Sequence, residues 1–185
     1  MKKARWWSLE TDGSLVCRLC PRQCRIAEGK EGFCRVRQRQ GDMLFSLNYG
    51  EASSLALDPV EKKPLQRFCS GQTVLSVGSW GCNLTCAFCQ NYSIAQLRPP
   101  VETMTPAALA DMAKRLVKEK NIGVAYTYAE PLVWYEFVLE TARLVREAKL
   151  KNVLVSNGYI EAEPLAELAT LIDAALDLVE PFASP

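Results

Sequence analysis

From Thr73 onward the apolar residues change period in a fixed order, and that order limits the fold more than any other feature of the chain. Thr73-Val74-Leu75-Ser76-Val77-Gly78 reads as a short buried strand. Thr105-Pro106 offers an N-cap followed by a proline at the first helical position. Leu109, Met112, Ala113, Leu116 and Val117 then recur at helical spacing up to Lys120. Residues 122–127 read as a second strand, and Pro131 opens a helix carrying Leu132, Tyr135, Val138, Leu139 and Ala142. A third strand at 152–155 stops at Asn157-Gly158, a third helix covers 164–172, and a fourth strand covers 174–179. Strands alternating with helices predict a parallel α/β sheet with right-handed crossovers.

Residues 1–70 read differently. Pro, Gly and Arg are frequent, one hairpin is expected with strands at 33–38 and 43–47 around Gly41-Asp42, and 58–64 is a polar connector bounded by Pro59 and Pro64. The expected division is therefore a Cys-rich region with hairpin and connector at 1–70 and the α/β part at 71–185. With 22 basic against 21 acidic side chains, the net charge of +1 calls for neither nucleic acid nor an anionic membrane. No apolar run approaches the roughly 18 residues of a membrane span, and the basic start Met1-Lys2-Lys3 lacks a signal peptide's apolar stretch. The expected location is cytoplasmic, with no membrane partner.

The chain has no histidine, which excludes Ser-His and Cys-His hydrolases and His-based zinc hydrolase sites. It has eight cysteines, all within the first 89 residues, and so many thiols in a cytosolic chain point to metal rather than disulfides. Cys82, Cys86 and Cys89 are spaced C-x3-C-x2-C just after the first strand. Three thiolates are one short of a closed tetrahedral zinc site or a fully ligated cubane, so one iron of a cubane would stay open. Phe88, before the last of them, is expected to shield a cluster from water. The plain alternative is three core cysteines. A strand-to-helix loop is where parallel α/β folds place ligands, which favours the cluster.

This motif resembles the signature of the radical S-adenosylmethionine (SAM) superfamily. Asp58-Pro59-Val60-Glu61-Lys62-Lys63-Pro64-Leu65, Ser79-Trp80-Gly81-Cys82-Asn83-Leu84 and Cys89-Gln90-Asn91 resemble the radical SAM member of the AmmeMemoRadiSam system. That group is related to the activating enzymes of pyruvate formate-lyase. Cys17-Arg18-Leu19-Cys20-Pro21-Arg22-Gln23-Cys24 and Gly32-Phe33-Cys34-Arg35-Val36-Arg37 match the same subgroup. The resemblance implies a [4Fe-4S] cluster on Cys82, Cys86 and Cys89, with SAM chelating the fourth iron. Reductive cleavage would release a 5′-deoxyadenosyl radical that abstracts hydrogen from a substrate, a step that needs no protein base and so no catalytic side chain. The substrate is unidentified. It could be a protein, with glycyl-radical activation as in the related enzymes as one form. The electron would come from a reductase or a flavodoxin- or ferredoxin-type donor. Glu130, ending the second strand, is implied as the carboxylate for SAM's amino group, and Ser156 and Asn157 as part of the next cofactor-facing loop. A solvated carboxylate and a plain Asn-Gly turn are the simpler alternatives for these three.

Cys17, Cys20, Cys24 and Cys34 are spaced C-x2-C-x3-C-x9-C, which suits a closed zinc site or a second cluster. Seven basic residues lie between 17 and 39 against Glu28 and Glu31. With Phe33 as the lone aromatic, that stretch reads as a solvated basic face, so nucleic acid is not an expected partner. Cys69 reads as a single buried thiol. Two other functions compete with the SAM reading: a zinc-stapled module binding nucleic acid or protein, and a truncated, inactive relative that still holds a cluster. The second draws on Val179, which stands where relatives carry a lysine, and on 180–185, which resembles nothing in them. A frameshift or cut near 179 is the expectation. It would leave a partial radical SAM (β/α) barrel of about four of six strands with an apolar edge open to pairing. Weak or absent SAM cleavage by this chain alone, and self-association, would follow.

Overall fold

A computed structural model describes residues 1–63, 65 and 67–177. Pro64, Val179 and 180–185 lie outside the described residues, and so does the expected cut.

The four expected parallel strands form. They are β2 (Thr73–Gly78), β3 (Asn121–Tyr126), β4 (Lys151–Ser156) and β5 (Ala174–Asp177). A further strand, β1 (Ser54–Pro59), pairs antiparallel with β2, so the sheet runs β5-β4-β3-β2-β1. The start of the expected connector is therefore a strand. Pro59 fits there because an edge strand leaves one side of its ladder unpaired. At the other edge β5 pairs only with β4 among the described residues.

Three helices supply the crossovers: α1 (Pro106–Arg115), α2 (Tyr135–Glu147) and α3 (Ala162–Ala169). Thr105 caps α1 as expected, its hydroxyl accepting from the Ala108 N–H at 3.1 Å. Period-2 alternation splits the strand side chains between two faces. Leu75, Val77, Val124, Tyr126 and Leu154 pack with Leu109, Ala113, Val138, Ala142 and Leu168 from the helices. On the other face, Val74, Ala125, Val153 and Val155 meet Val60, Leu65 and Phe68 of the connector. Cys69, expected to be buried, is only half-buried there. Leu109 is wholly buried, and its truncation to Ala would cost about 2–5 kcal/mol.

Two buried asparagines fasten helices to the sheet. Asn121 accepts from the Leu75 N–H and donates to the Ala113 carbonyl of α1, both at 2.9 Å. Asn152 accepts from the Tyr126 hydroxyl and donates to the Ala142 carbonyl of α2, again at 2.9 Å. Each sits near the start of a strand and closes polar groups that burial would otherwise leave unpaired.

The first 50 residues form small antiparallel sheets. Trp7–Leu9, Leu15–Cys17 and Arg25–Ile26 make one, and Lys2–Lys3, Met43–Ser46 and Arg37–Gln40 the other. The hairpin at Gly41-Asp42 is present, but its first strand begins at Arg37 rather than at residue 33, because Arg35 turns the chain at φ 66°. Arg37 is 1% exposed and its Nη1 donates to Glu136 Oε1 at 2.8 Å. The same oxygen accepts the Arg5 N–H at 2.8 Å, so two N-terminal segments are held to α2 by one carboxylate. The basic stretch is thus not a uniform solvated face. Arg37 is internal, and Arg18, Arg25 and Arg39 pair with Glu10, Asp12 and Glu28. No helix among the described residues is long and apolar enough to cross a membrane.

Candidate metal centre

At the C-terminal ends of the parallel strands a cavity of about 480 Å³ opens, a size within the range of small-molecule sites. Its lining includes Cys82, Cys86 and Cys89 together with Glu130, Ser156 and Asn157. All six residues singled out for this site therefore face one space. Ends of strands are where parallel α/β folds present ligand-binding groups, because the loops there leave the sheet freely.

The turn into the cysteine loop depends on Gly81. Its φ is +90°, and a Cβ there would lie 2.6 Å from Val36 Cγ1 and 2.7 Å from the Cys34 carbonyl oxygen. A side chain at 81 would push the loop off the N-terminal region. Beyond it Cys86 is exposed while Cys82 and Cys89 are half-buried. Burial pushes the Cys82 thiol up to about 11, with the charge of Glu130 adding to the effect and the Leu84 N–H opposing it. Loading a metal here must release that proton. Phe88 lines the cavity but is 76% exposed, so it does not shield the thiols as expected.

Glu130 is 4% exposed, which overturns the solvated-carboxylate alternative. Its Oε1 accepts from the Leu132 N–H at 2.9 Å and the Ser156 hydroxyl at 2.7 Å, and its Oε2 from the Asn157 N–H at 2.9 Å. The carboxylate thus ties the loop after β3 to the loop after β4. Asn157 goes further than a plain turn: its Nδ2 donates to Asn83 Oδ1 at 3.0 Å and lies 3.7 Å from Cys82 Sγ.

Three contributors carried no role in the sequence reading. Asn83, 1% exposed, links Asn157 to the Tyr159 carbonyl, to which its amide donates at 2.7 Å. Its place beside Cys82 was the available signal. Tyr128 lines the cavity with a left-handed φ of 72°, costly for a residue with a side chain. Asp58 holds it there, accepting from its hydroxyl at 2.6 Å, from Lys62 at 2.8 Å and from Lys63 at 3.0 Å. The charged residues of the connector thereby set one wall of the site.

Among the described residues no three His, Cys, Asp or Glu side chains stand as a preformed grip for a single metal ion. Three thiols on a cavity that also has room for a small molecule fit a cluster with an open iron.

Residues 78–180 match the sequence model of the Radical SAM superfamily. Over 171 residues the chain is 41% identical to Uncharacterized protein MJ0808 of Methanocaldococcus jannaschii. The alignment takes in 91% of this chain and 50% of that protein, so the chain spans about half the length of its relative.

Proposed function

The chain belongs to the Radical SAM superfamily, and from that premise we propose that it holds a [4Fe-4S] cluster on Cys82, Cys86 and Cys89 and cleaves SAM reductively. Membership of the superfamily supports iron–sulfur, SAM-dependent radical chemistry in general terms. The observation that supports the assignment to residues is the shared cavity, lined by the three thiols and the buried Glu130. When bound, the cluster and SAM together supply a carbon radical that abstracts hydrogen from the substrate.

The protein's own part is to bind and orient. Glu130, anchored by Leu132, Ser156 and Asn157, presents a fixed carboxylate to an ammonium group beside the thiols. Ser156 and Asn157 hold that carboxylate and shape the floor of the cavity. Asn157 also faces Cys82 Sγ, where its N–H bonds would tune a sulfur ligand. Tyr128, braced by Asp58, keeps the neighbouring wall in place.

The finer reading is an enzyme like the AmmeMemoRadiSam radical SAM proteins and the pyruvate formate-lyase activating enzymes, built on part of a (β/α) barrel. It rests on the connector motif and on the loop from Ser79 to Asn91. We extend to it a cytoplasmic setting, an unidentified substrate of which a protein is one form, and electrons from a reductase or a flavodoxin- or ferredoxin-type donor. Anaerobic reconstitution with iron and sulfide tests the core of this. A low-potential paramagnetic signal that disappears on replacing Cys82, Cys86 and Cys89 with Ala is expected. A signal that survives the triple replacement would place the cluster elsewhere.

A further inference from the structure

The four N-terminal cysteines play no part in that function, yet the fold gathers them. Cys17 ends the strand Leu15–Cys17, and its N–H donates to the Cys24 carbonyl at 3.0 Å, so the two lie across one hairpin. Cys20 sits in the turn between them, its carbonyl accepting from the Gln23 N–H at 3.1 Å. Cys34 arrives from the next segment through Gly32, whose N–H donates to the Arg37 carbonyl at 2.7 Å. A Cβ at Gly32 would meet Ile26 Cδ1 at 3.1 Å and Cys24 Cβ at 3.7 Å, which shows how closely the segment is drawn in. All four cysteines line a single cavity of about 10 Å³.

The simple account is that these are small apolar side chains filling a core. One feature of the cavity opposes it. Arg37, which lines it, is paired with Glu136 through Nη1, but its Nε–H is buried with no hydrogen-bond partner among the described residues. A buried, unpaired donor is costly beside neutral thiols and apolar walls, but it suits thiolates gathered on a metal. The enclosed space, about that of one water-sized sphere, matches a single ion better than an iron–sulfur cubane.

We propose that Cys17, Cys20, Cys24 and Cys34 bind one Zn²⁺ as a closed tetrathiolate that pins the N-terminal region beneath the loop of Cys82. The four thiols do not stand as a preformed grip; each gives its proton to solvent as the ion binds, and the ion draws the sulfurs together. The pinning is direct. Arg22 Nε donates to the Asn83 carbonyl at 2.5 Å, Arg22 stacks 3.5 Å from the Phe33 ring centroid, and Asn83 lines the same cavity.

The test uses the full chain carrying Cys82→Ser, Cys86→Ser and Cys89→Ser, so that the other thiols cannot contribute. It is purified with zinc and iron both present, and metal and labile sulfide are measured. About one zinc per chain without sulfide is expected, and Co²⁺ in its place should give the intense visible bands of a tetrahedral thiolate site. Adding Cys34→Ser should cut the retained zinc roughly tenfold or more. Should that variant precipitate, Cys20→His and Cys20→Ser give the same reading, since three thiolates and an imidazole still make a zinc site and a serine does not. A metal-free protein, iron with sulfide in place of zinc, or equal zinc in the His and Ser variants would each overturn the proposal. None of these readouts depends on SAM chemistry.

Discussion

Cys82, Cys86 and Cys89 stand on a cavity of about 480 Å³ with one thiol exposed, whereas Cys17, Cys20, Cys24 and Cys34 enclose about 10 Å³ between hairpins. Their spacings are nearly mirror images, C-x3-C-x2-C against C-x2-C-x3-C with a fourth thiol ten residues on. The backbone that carries them makes the difference. The first set leaves the end of a parallel strand, where loops stand clear of the core and a ligand can approach. The second is held across an antiparallel pair, where facing residues are drawn together. An open set suits exchange of a small molecule at a metal, and a closed set suits a permanent staple. Asn83 and Arg22 join the two, so the closed set also supports the loop of the open one.

The largest effect should come from Cys86→Ala. The low-potential cluster signal should vanish, while the unfolding free energy of the metal-free protein shifts by only about 0.5 kcal/mol, because the side chain is exposed. Loss of stability matching that of Cys34→Ala would erase the distinction between open and closed sets. Next comes Glu136→Ala, which strands the Arg37 guanidinium beside the closed set. Removing one partner of a pair 1% and 2% exposed costs about 3–5 kcal/mol, readable by urea unfolding. A cost below about 1 kcal/mol would mean that the N-terminal region does not depend on this anchor.

On the open side, Glu130→Ala should weaken SAM binding by about 10- to 100-fold, through loss of a charge-assisted hydrogen bond worth roughly 1.5–3 kcal/mol. An unchanged titration would remove Glu130 from the site. The smallest effect concerns Asp58. Burial opposes its ionisation, but hydrogen bonds from Lys62, Tyr128 and Lys63 outweigh that and hold its carboxyl well below the usual range. A folded-state value below the unfolded one means the stabilisation is present above about pH 4 and is lost as pH falls from there toward the folded value. Asp58→Asn should therefore cost about 1–2 kcal/mol at neutral pH and progressively less in acid. A penalty that stays constant from pH 7 to pH 3 would contradict the bracing of Tyr128 by a carboxylate.

Local pattern carried much of this chain. The four parallel strands, the Thr105 cap and the grouping of Cys82, Cys86 and Cys89 follow from residues near one another in sequence, whereas Glu130 is joined to them only through the family resemblance. What escaped depends on partners far apart. Asp58 and Pro59 read as the start of the connector, and only their ladder to β2 makes them the end of a strand. Arg37 looked like surface charge until α2 brought Glu136 to it, 99 residues away. Asn121 and Asn152 sit in apolar runs as blemishes, yet each fastens a helix that local periodicity cannot position. Phe88 failed in the other direction. Its aromatic character suggested cover for a cluster, but the loop leaves the ring in solvent.

The central claim is that the open thiol set leaves an iron free to take SAM. The direct measurement is the paramagnetic spectrum of the reduced, reconstituted full chain, recorded before and after SAM is added. The account predicts a shifted spectrum that saturates with SAM and is weakened by Glu130→Ala. A spectrum that SAM leaves unchanged at saturating concentration would contradict it.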